Sequence, residues 1–325
     1  MKRLLLLGVL LFSGFVYASP IHNIVVFGDS LSDNGNLFAH MEEQLPPSPP
    51  YYDGRFSNGP VWVEYLTRFL LPKQPGHMLN YAFGGAMVSS EEVGDSALFT
   101  IDGQVQTYLT DYPNDVEIQD NLYIFWIGSN NYLGTPEDKD HTLAAEVTQG
   151  ILKNLELLAN KGAKNILILN IPNIGNTPFA RFLDEVSCSE DSKTCKSEVL
   201  SYLSNEHNKA LAQGLNILKM AYPNVNLISY DINQLLAEVI SNPALYQFSN
   251  VTEACNKPEQ GKQLHKPILS LVTDRLHKTT EESCDDYLFF DLLHPTTKAH
   301  RIISGKVATV LQEAGIEISN TISPR

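Results

Sequence analysis

The chain has 325 residues, of which 43% are hydrophobic and 18% charged, and this composition is typical of a globular protein with a sizeable core. It excludes disordered, collagen-like and coiled-coil chains, and no internal repeat is present. The formal charge of −14 argues against a nucleic-acid partner, because an acidic surface repels a phosphate backbone. Neutral and zwitterionic lipids remain compatible with that charge.

The start of the chain has the pattern of a secretory signal peptide. Lys2 and Arg3 precede an almost wholly apolar run over residues 4–16, and small residues stand just before the expected cut. The run is short for a bilayer span, which needs about 20 residues, and an uncleaved anchor is the alternative. We expect a signal peptide at residues 1–18 and a single exported domain over residues 19–325, without a transmembrane segment in the mature protein. The final compartment, periplasm or outside, stays open.

Short apolar runs and amphipathic stretches alternate along the rest of the chain. Runs of strand length cover residues 24–27, 122–127, 166–171, 225–230 and 287–290. Apolar residues recur at helical spacing within residues 61–70, 143–158, 200–218, 232–240 and 302–311. This alternation predicts a parallel sheet covered by helices on both faces, with sites at the carboxyl ends of the strands. Residues 46–50 and 244–286 are predicted to be loops over one end of that sheet.

A serine follows the first predicted strand, in I-V-V-F-G-D-S-L-S-D-N-G-N at residues 24–36. Gly28 permits a sharp turn, and Ser30 lies just beyond the strand, where a nucleophile can reach substrate. A helix that starts here would point its N–H groups at an anion. The alternative is that Ser30 and Asp33 only cap this helix, and the segment taken alone favours capping.

A carboxylate and an imidazole follow the last predicted strand, in Y-L-F-F-D-L-L-H-P at residues 287–295. The spacing of Asp291 and His294 brings the two groups together within one turn of chain. A carboxylate that binds one ring nitrogen fixes the tautomer and leaves the other nitrogen free to accept a serine proton. A structural hydrogen bond and a metal pair are the alternatives, and the D-x-x-H pattern alone favours the structural one.

Acyl transfer also needs hydrogen-bond donors for the oxyanion, and two segments are suited to supply them. N-Y-A-F-G-G-A, residues 80–86, follows a short strand, and its glycines let backbone N–H groups approach a ligand. W-I-G-S-N-N-Y, residues 126–132, ends another strand with amide side chains. Ordinary turn formation is the alternative for both segments.

Taken together, these segments resemble the sequence blocks of the GDSL, or SGNH, hydrolases. G-D-S-L-S-D-N-G-N resembles the nucleophile block, G-G-A the glycine block, G-S-N-N the G-x-N-D block and D-L-L-H the final D-x-x-H block. The resemblance extends from residue 24 to about residue 297, and it implies a three-layer α/β/α sandwich with a central parallel, flavodoxin-like sheet. The G-x-S-x-G motif of other lipases is absent.

The resemblance also implies a role for each matching residue. Ser30 would be the nucleophile, His294 its general base and Asp291 the group that orients the imidazole. The implied oxyanion donors are the backbone N–H groups of Ser30 and Gly85 and the side-chain amide of Asn130. The family pattern has Asp where this chain has Asn131, which leaves the role of that position open.

A further stretch, G-R-F-S-N-G-P-V-W-V-E-Y-L at residues 54–66, is similar to secreted bacterial members of the family that act on lipids. These include lysophospholipases, phospholipases A and relatives that move acyl chains to cholesterol. The resemblance implies an esterase for lipid acyl esters that touches lipid surfaces transiently, with acyl transfer where a sterol competes with water. A short-chain or carbohydrate O-acetyl esterase is one alternative, and a non-catalytic exported binding protein is another.

Four cysteines complete the set of reactive side chains. An even number in an exported chain favours disulfides, and four cysteines allow three connectivities. Cys188–Cys195 and Cys255–Cys284 are the expected pairs, because short loops close most easily, and the second pair would tie a flap near the site. No C-x-x-C, H-E-x-x-H or phosphate-loop pattern occurs, so we predict no metal and no organic cofactor.

Overall fold

The computed structural model describes residues 21–73, 77–89, 96–113, 118–134, 141–188, 195–256 and 283–317. The predicted signal peptide and nearly all of the expected flap lie outside these residues. Both expectations, and that of a single domain from residue 19 onward, stay predictions.

The central sheet contains five short strands rich in apolar residues. They are β1 (Ile24–Gly28), β2 (Met78–Asn80), β3 (Leu122–Trp126), β4 (Asn165–Leu169) and β5 (Asn226–Tyr230). The spatial order is β2-β1-β3-β4-β5, and every pair of neighbours is parallel. The order of strands reverses between β1 and β3, and an open parallel sheet binds its ligands at such a position.

Helices cover both faces of this sheet. They are α1 (Asn36–His40), α2 (Trp62–Leu70), α3 (Ile101–Asp111), α4 (Asn130–Leu133), α5 (Leu143–Lys161), α6 (Pro178–Ser187), α7 (Lys196–Ala221), α8 (Ile232–Ser241) and α9 (Thr297–Glu313). Side chains alternate between faces along a strand, so Val25 and Phe27 of β1 pack with α3, α5 and α7. Ile24 and Val26 pack with α2, α8 and α9. The predicted three-layer α/β/α sandwich is confirmed.

The last predicted strand lies outside the central sheet. It is β7 (Tyr287–Phe289), which pairs in parallel with β6 (Asn250–Ala254) in a separate two-stranded sheet. The prediction that residues 244–286 form only loops is therefore wrong at β6. Only Val251 and Ala254 of β6 are buried, so the sequence there lacks the apolar run that marks the central strands.

Two disulfides join Cys188 to Cys195 and Cys255 to Cys284, the pairs expected from the sequence. The first connects the end of α6 to the start of α7, and the second connects the end of β6 to the turn before β7. Within the described ranges, no helix combines the length and apolar character needed to cross a bilayer.

Candidate active site

Ser30, His294 and Asp291 form one chain of hydrogen bonds. The Oγ atom of Ser30 lies 2.8 Å from Nε2 of His294, and Nδ1 of His294 lies 2.7 Å from Oδ2 of Asp291. The three residues are only 6%, 5% and 0% exposed, respectively. Ser30 follows β1, and the turn of Asp291 and His294 follows β7, so two strand ends bring together Ser30 and His294, which are 264 positions apart in the sequence.

The D-x-x-H segment folds into a tight turn of its own. Oδ1 of Asp291 accepts the backbone N–H groups of Leu293 at 2.8 Å and of His294 at 2.7 Å. The carbonyl of His294 accepts the N–H of Phe290 at 2.7 Å and closes the turn. Because Oδ2 of Asp291 accepts from Nδ1, the ring proton is held there and Nε2 is free to accept the serine proton.

The backbone before Ser30 is fixed by a close approach and a buried amide. A Cβ atom at Gly28 would lie 2.6 Å from the carbonyl oxygen of Trp126, so this position of β1 has room only for glycine. The side chain of Gln104 on α3 accepts the N–H of Gly28 and donates to its carbonyl, each at 2.8 Å. Sequence analysis missed Gln104, because nothing in the sequence of α3 indicates which backbone its amide binds.

Asp33 connects the nucleophile segment to the glycine segment. Its carboxylate accepts four backbone N–H groups, those of Gly35 at 2.8 Å, Asn36 at 2.6 Å, Leu37 at 3.1 Å and Gly84 at 2.8 Å. Two of these bonds are to the first two residues of α1 and a third is to its N-cap residue, Gly35, so Asp33 binds the start of this helix although it is not the N-cap. The fourth bond holds the G-G-A segment against the turn that carries the serine.

The predicted oxyanion donors lie on segments that are tied to one another. Gly85 has a φ of 78°, a left-handed conformation that suits glycine, and Asn130 Nδ2 donates to the carbonyl of the adjacent Ala86 at 2.8 Å. The second amide hydrogen of Asn130 remains for another acceptor. Among the described residues, no acceptor receives the N–H of Ser30 or of Gly85. Two backbone donors and one amide are therefore available, and Asn130 lines the same cleft as Ser30.

Asn131, which stands where the family pattern has Asp, binds the backbone just after the glycine segment. Its Oδ1 accepts the N–H of Val88 at 3.0 Å, and its Nδ2 donates to the carbonyl of Ser89 at 3.3 Å. An amide offers both a donor and an acceptor, whereas a carboxylate offers acceptors only. Asn in place of Asp at position 131 thus provides a donor, Nδ2, which binds the carbonyl of Ser89.

Two further titratable groups lie close to the imidazole. Burial raises the pKa of Asp29 to about 7, against the N–H of Leu31 and the charge of His294, which both lower it. Burial lowers the pKa of His300 to about 3, and its Nδ1 accepts the N–H of Trp62 at 3.3 Å. His300 is therefore a neutral packing residue of α9, and Asp29 changes its charge near neutral pH.

An open cleft begins at the serine. One part of its wall is apolar and contains Leu31, Leu236, Ile240, Phe289 and Leu293. Another part carries amide side chains, those of Asn130, Asn173, Asn176 and Asn233. Of the residues that line this cleft, only Asp29 and His294 can titrate, and no lysine or arginine is among them. The cleft therefore suits an ester with an apolar acyl part and an uncharged or zwitterionic polar part.

Residues 54–60, the G-R-F-S-N-G-P stretch, pack against the D-x-x-H turn, and we call them the clasp segment. The ring of Phe56 lies 5.0 Å from the imidazole of His294, centroid to centroid. Ser57 Oγ donates to the carbonyl of Pro295 at 2.9 Å, and Oδ1 of Asn58 accepts the N–H of Thr297 at 2.8 Å. The sequence contains no signal for these contacts, which join positions about 240 residues apart.

The family model described as GDSL-like Lipase/Acylhydrolase matches residues 24–307. The chain belongs to this family, and membership places it among the ester hydrolases and acyltransferases. The chain is 30% identical to a phosphatidylcholine-sterol acyltransferase from Aeromonas hydrophila, and the match covers 89% of this chain and 90% of that protein.

Two other relatives are longer than this chain. The thermolabile hemolysin of Vibrio parahaemolyticus is 27% identical over 88% of this chain and 63% of its own length. The secreted effector protein SseJ of Salmonella typhimurium is 29% identical over 86% of this chain and 61% of its own length. The chain thus spans a little less than two thirds of these two relatives.

Proposed function

We propose that the chain is an exported serine esterase that cleaves acyl esters of lysophospholipids or phospholipids, with Ser30 as its nucleophile. The observation that carries the proposal is the unbroken chain of hydrogen bonds from Ser30 Oγ through His294 to Asp291, at 2.8 and 2.7 Å. A serine hydroxyl is a poor nucleophile at neutral pH unless an adjacent base accepts its proton. These intact hydrogen bonds argue against a non-catalytic binding protein.

The first half of the reaction forms an acyl-enzyme. Ser30 Oγ attacks the ester carbonyl carbon while its proton moves to Nε2 of His294, and Asp291 stabilises the resulting imidazolium. The carbonyl oxygen becomes an oxyanion, which the N–H groups of Ser30 and Gly85 and the amide of Asn130 stabilise. Loss of one such donor costs roughly 2.7–4 kcal/mol of transition-state stabilisation.

The second half returns the enzyme to its starting state. The tetrahedral intermediate collapses, the bond from carbon to the leaving oxygen breaks, and His294 gives its proton to the departing alcohol. Water then attacks the acyl-enzyme, with His294 again as the base, and the fatty acid leaves from Ser30. A sterol hydroxyl that replaces this water would receive the acyl group instead, which is acyl transfer.

The cleft supports a lipid substrate. Leu236 and Ile240 of α8 and Phe289 and Leu293 near the base give the acyl chain an apolar surface beside the serine. Each CH₂ group buried there contributes about 0.8 kcal/mol, so chain length should raise affinity. The relative from Aeromonas hydrophila, called a phosphatidylcholine-sterol acyltransferase, is consistent with this choice.

A second candidate is a short-chain or carbohydrate O-acetyl esterase. It is favoured by the amide side chains of Asn173, Asn176 and Asn233, which can bind sugar hydroxyls at the cleft wall. Both candidates use the same nucleophile and base. They differ in whether the apolar part of the cleft contributes to binding.

Export is supported by the two disulfides and by the basic and apolar pattern of residues 1–18. Expression of the full chain followed by N-terminal sequencing of the exported protein should give Ser19 as the first residue. Retention of the intact chain in the cytoplasm would contradict export.

The substrate is tested with lysophosphatidylcholine, with and without cholesterol, and with nitrophenyl esters of increasing acyl length. We expect release of fatty acid, formation of sterol ester when cholesterol is present, and a kcat/KM that rises with acyl length. Absence of fatty-acid release, with acetyl esters cleaved well, would reject the lipid assignment and favour the second candidate.

A matched pair of variants locates the acyl chain. Ile240→Trp fills the apolar part of the cleft and should lower kcat/KM for long esters much more than for acetate. Leu245→Trp, a control at a position that is 75% exposed and outside the cleft lining, should change neither. An equal loss for short and long esters in Ile240→Trp would contradict an acyl chain at this wall.

A further inference from the structure

Tyr51 reaches the far side of the base. Its hydroxyl donates to Oδ2 of Asp291 at 2.6 Å, and this is the same oxygen that accepts the Nδ1 proton of His294. The hydrogen-bonded chain therefore has four members, and the fourth comes from a part of the sequence 240 positions earlier.

The phenol has little freedom to leave this position. Tyr51 is 2% exposed, and its ring meets those of Phe56 and Phe290 edge to face, with centroids 5.9 and 5.2 Å away. Phe56 in turn lies against His294. Burial, together with the charge and hydrogen bond of Asp291, raises the pKa of Tyr51 well above its ordinary value, so the phenol stays a donor.

All carboxylate positions of Asp291 are thereby used. Oδ1 accepts two backbone N–H groups, and Oδ2 accepts one phenol and one imidazole proton. Other ionisable groups that interact with the imidazole are Asp29 on the nucleophile side and His300 on α9. Neither of these is hydrogen-bonded to Asp291, so the donor that shares its Oδ2 with His294 is Tyr51.

We propose that Tyr51 is a positioning residue that locks the Asp291 carboxylate and limits how strongly it holds the imidazolium of His294. A hydrogen bond spreads the negative charge of a carboxylate, so less of it acts on the imidazolium. A weaker hold keeps the imidazolium a better acid toward the leaving alcohol. The inference rests on the proposed function for its catalytic consequence but not for its effect on the imidazole.

The test compares Tyr51→Phe with Tyr52→Phe, a control that removes a hydroxyl from a neighbouring residue that is 43% exposed. The imidazole is titrated by NMR in protein labelled at histidine, and kcat/KM is measured against pH with a nitrophenyl ester. Without the phenol, more of the negative charge of Asp291 acts on the imidazolium, so the protonated form of His294 is stabilised.

We expect the midpoint of the His294 titration and the acid limb of kcat/KM to move to higher pH in Tyr51→Phe, by roughly half to one pH unit. We also expect kcat to fall roughly tenfold with KM little changed, the usual size of the loss of a hydrogen bond to a charged group. Tyr52→Phe should match the wild type. An unshifted titration midpoint in folded Tyr51→Phe, whatever its rate, would overturn the proposal and leave Tyr51 a packing residue.

A second variant keeps the phenol ring and should shift the midpoint of the His294 titration in the opposite direction. Tyr51→3-fluorotyrosine places a more acidic phenol at the same site, which donates more strongly and should move the midpoint to lower pH. If Tyr51→Phe does not fold, the fluorotyrosine variant is sufficient to test the proposal. A midpoint that is unchanged or raised in that variant overturns the proposal. If the wild type cleaves no ester, the proposed function fails, but the NMR titration still tests whether Tyr51 affects the protonation of His294.

Discussion

Ser30 and His294 meet at one point, but the molecule holds them in different ways. The turn that carries Ser30 is held by the three N–H groups that Asp33 accepts from residues 35–37 and, from farther along the chain, by the bonds of Gln104 to Gly28 and of Gly84 to Asp33. The base is placed by its own short turn and is then enclosed by Tyr51 and the clasp segment, from far earlier in the chain. The comparison indicates that both segments combine local and distant support. The proposed nucleophile receives its distant support from single hydrogen bonds, whereas the proposed base receives it from a packed group of residues between 51 and 58.

The largest effect tests the base itself. His294→Ala removes the proton acceptor of Ser30, and we expect kcat to fall by about 10³-fold or more, with the residual rate due to the oxyanion donors and substrate binding. Steady-state kinetics on a nitrophenyl ester measures this loss. His77→Ala, at an exposed position, is the control and should retain full activity. A modest loss in His294→Ala would mean that another group activates the serine.

The next effect breaks the local support of the nucleophile. In Asp33→Asn, an NH₂ group must face one of the pairs of backbone N–H donors that the carboxylate now accepts, so buried bonds are lost. We expect a loss of about 2–4 kcal/mol in unfolding free energy and a decrease of roughly 10–100-fold in kcat/KM. Denaturant unfolding and kinetics measure both quantities.

Asp53→Asn is the matched control, because it removes a charge from an exposed position in the same part of the chain. It should change neither quantity appreciably. Normal stability in Asp33→Asn would show that the four hydrogen bonds do not hold the nucleophile turn.

A smaller, pH-dependent effect concerns Asp29. Its pKa is about 7 when folded, against 3.8 for the free side chain, so the folded state binds this proton more tightly. The associated stability is complete below about pH 4 and is lost as the pH rises through 7, on the order of a few kcal/mol. The Asp29→Asn variant cannot ionise at this position, so it should not show this loss of stability as the pH rises.

The measurement is the difference in melting temperature between Asp29→Asn and the wild type, followed from about pH 4 to pH 8. We expect the melting temperature of Asp29→Asn to rise relative to that of the wild type as the pH increases. A constant difference would mean that Asp29 is ionised throughout that range.

The smallest effect tests the long-range support of the base. Ser57→Ala removes the hydrogen bond to the carbonyl of Pro295 and should cost about 1 kcal/mol of stability, with less than a tenfold loss in kcat/KM. Ser241→Ala, at an exposed position, is the control. A wild-type kcat/KM and stability in Ser57→Ala would show that this contact of the clasp segment contributes nothing to the base.

The difference between local and distant contacts explains what the sequence could predict. The run I-V-V-F before Gly28 identifies β1, and D-x-x-H closes on itself, so Ser30, Asp291 and His294 could be proposed as site residues from local patterns. Tyr51 and Gln104 were not, because their partners lie far away in the sequence and no spacing rule connects them.

Helix α3 and strand β6 are among the elements that the sequence did not predict, and the reasons are related. Helix α3 contains Gly103 and two threonines, which are weak helix formers, and only four of its residues are buried. Strand β6 is partly exposed and pairs only with β7, so neither an apolar run nor strict alternation marks it.

The central claim is that Ser30 is a nucleophile activated by His294, and covalent labelling with a fluorophosphonate tests it most directly. Intact mass should increase by one phosphonyl group per chain, peptide mapping should place it on Ser30, and His294→Ala should slow the labelling by orders of magnitude. The absence of an adduct, an adduct on another residue, or equal labelling rates with and without His294 would contradict the account.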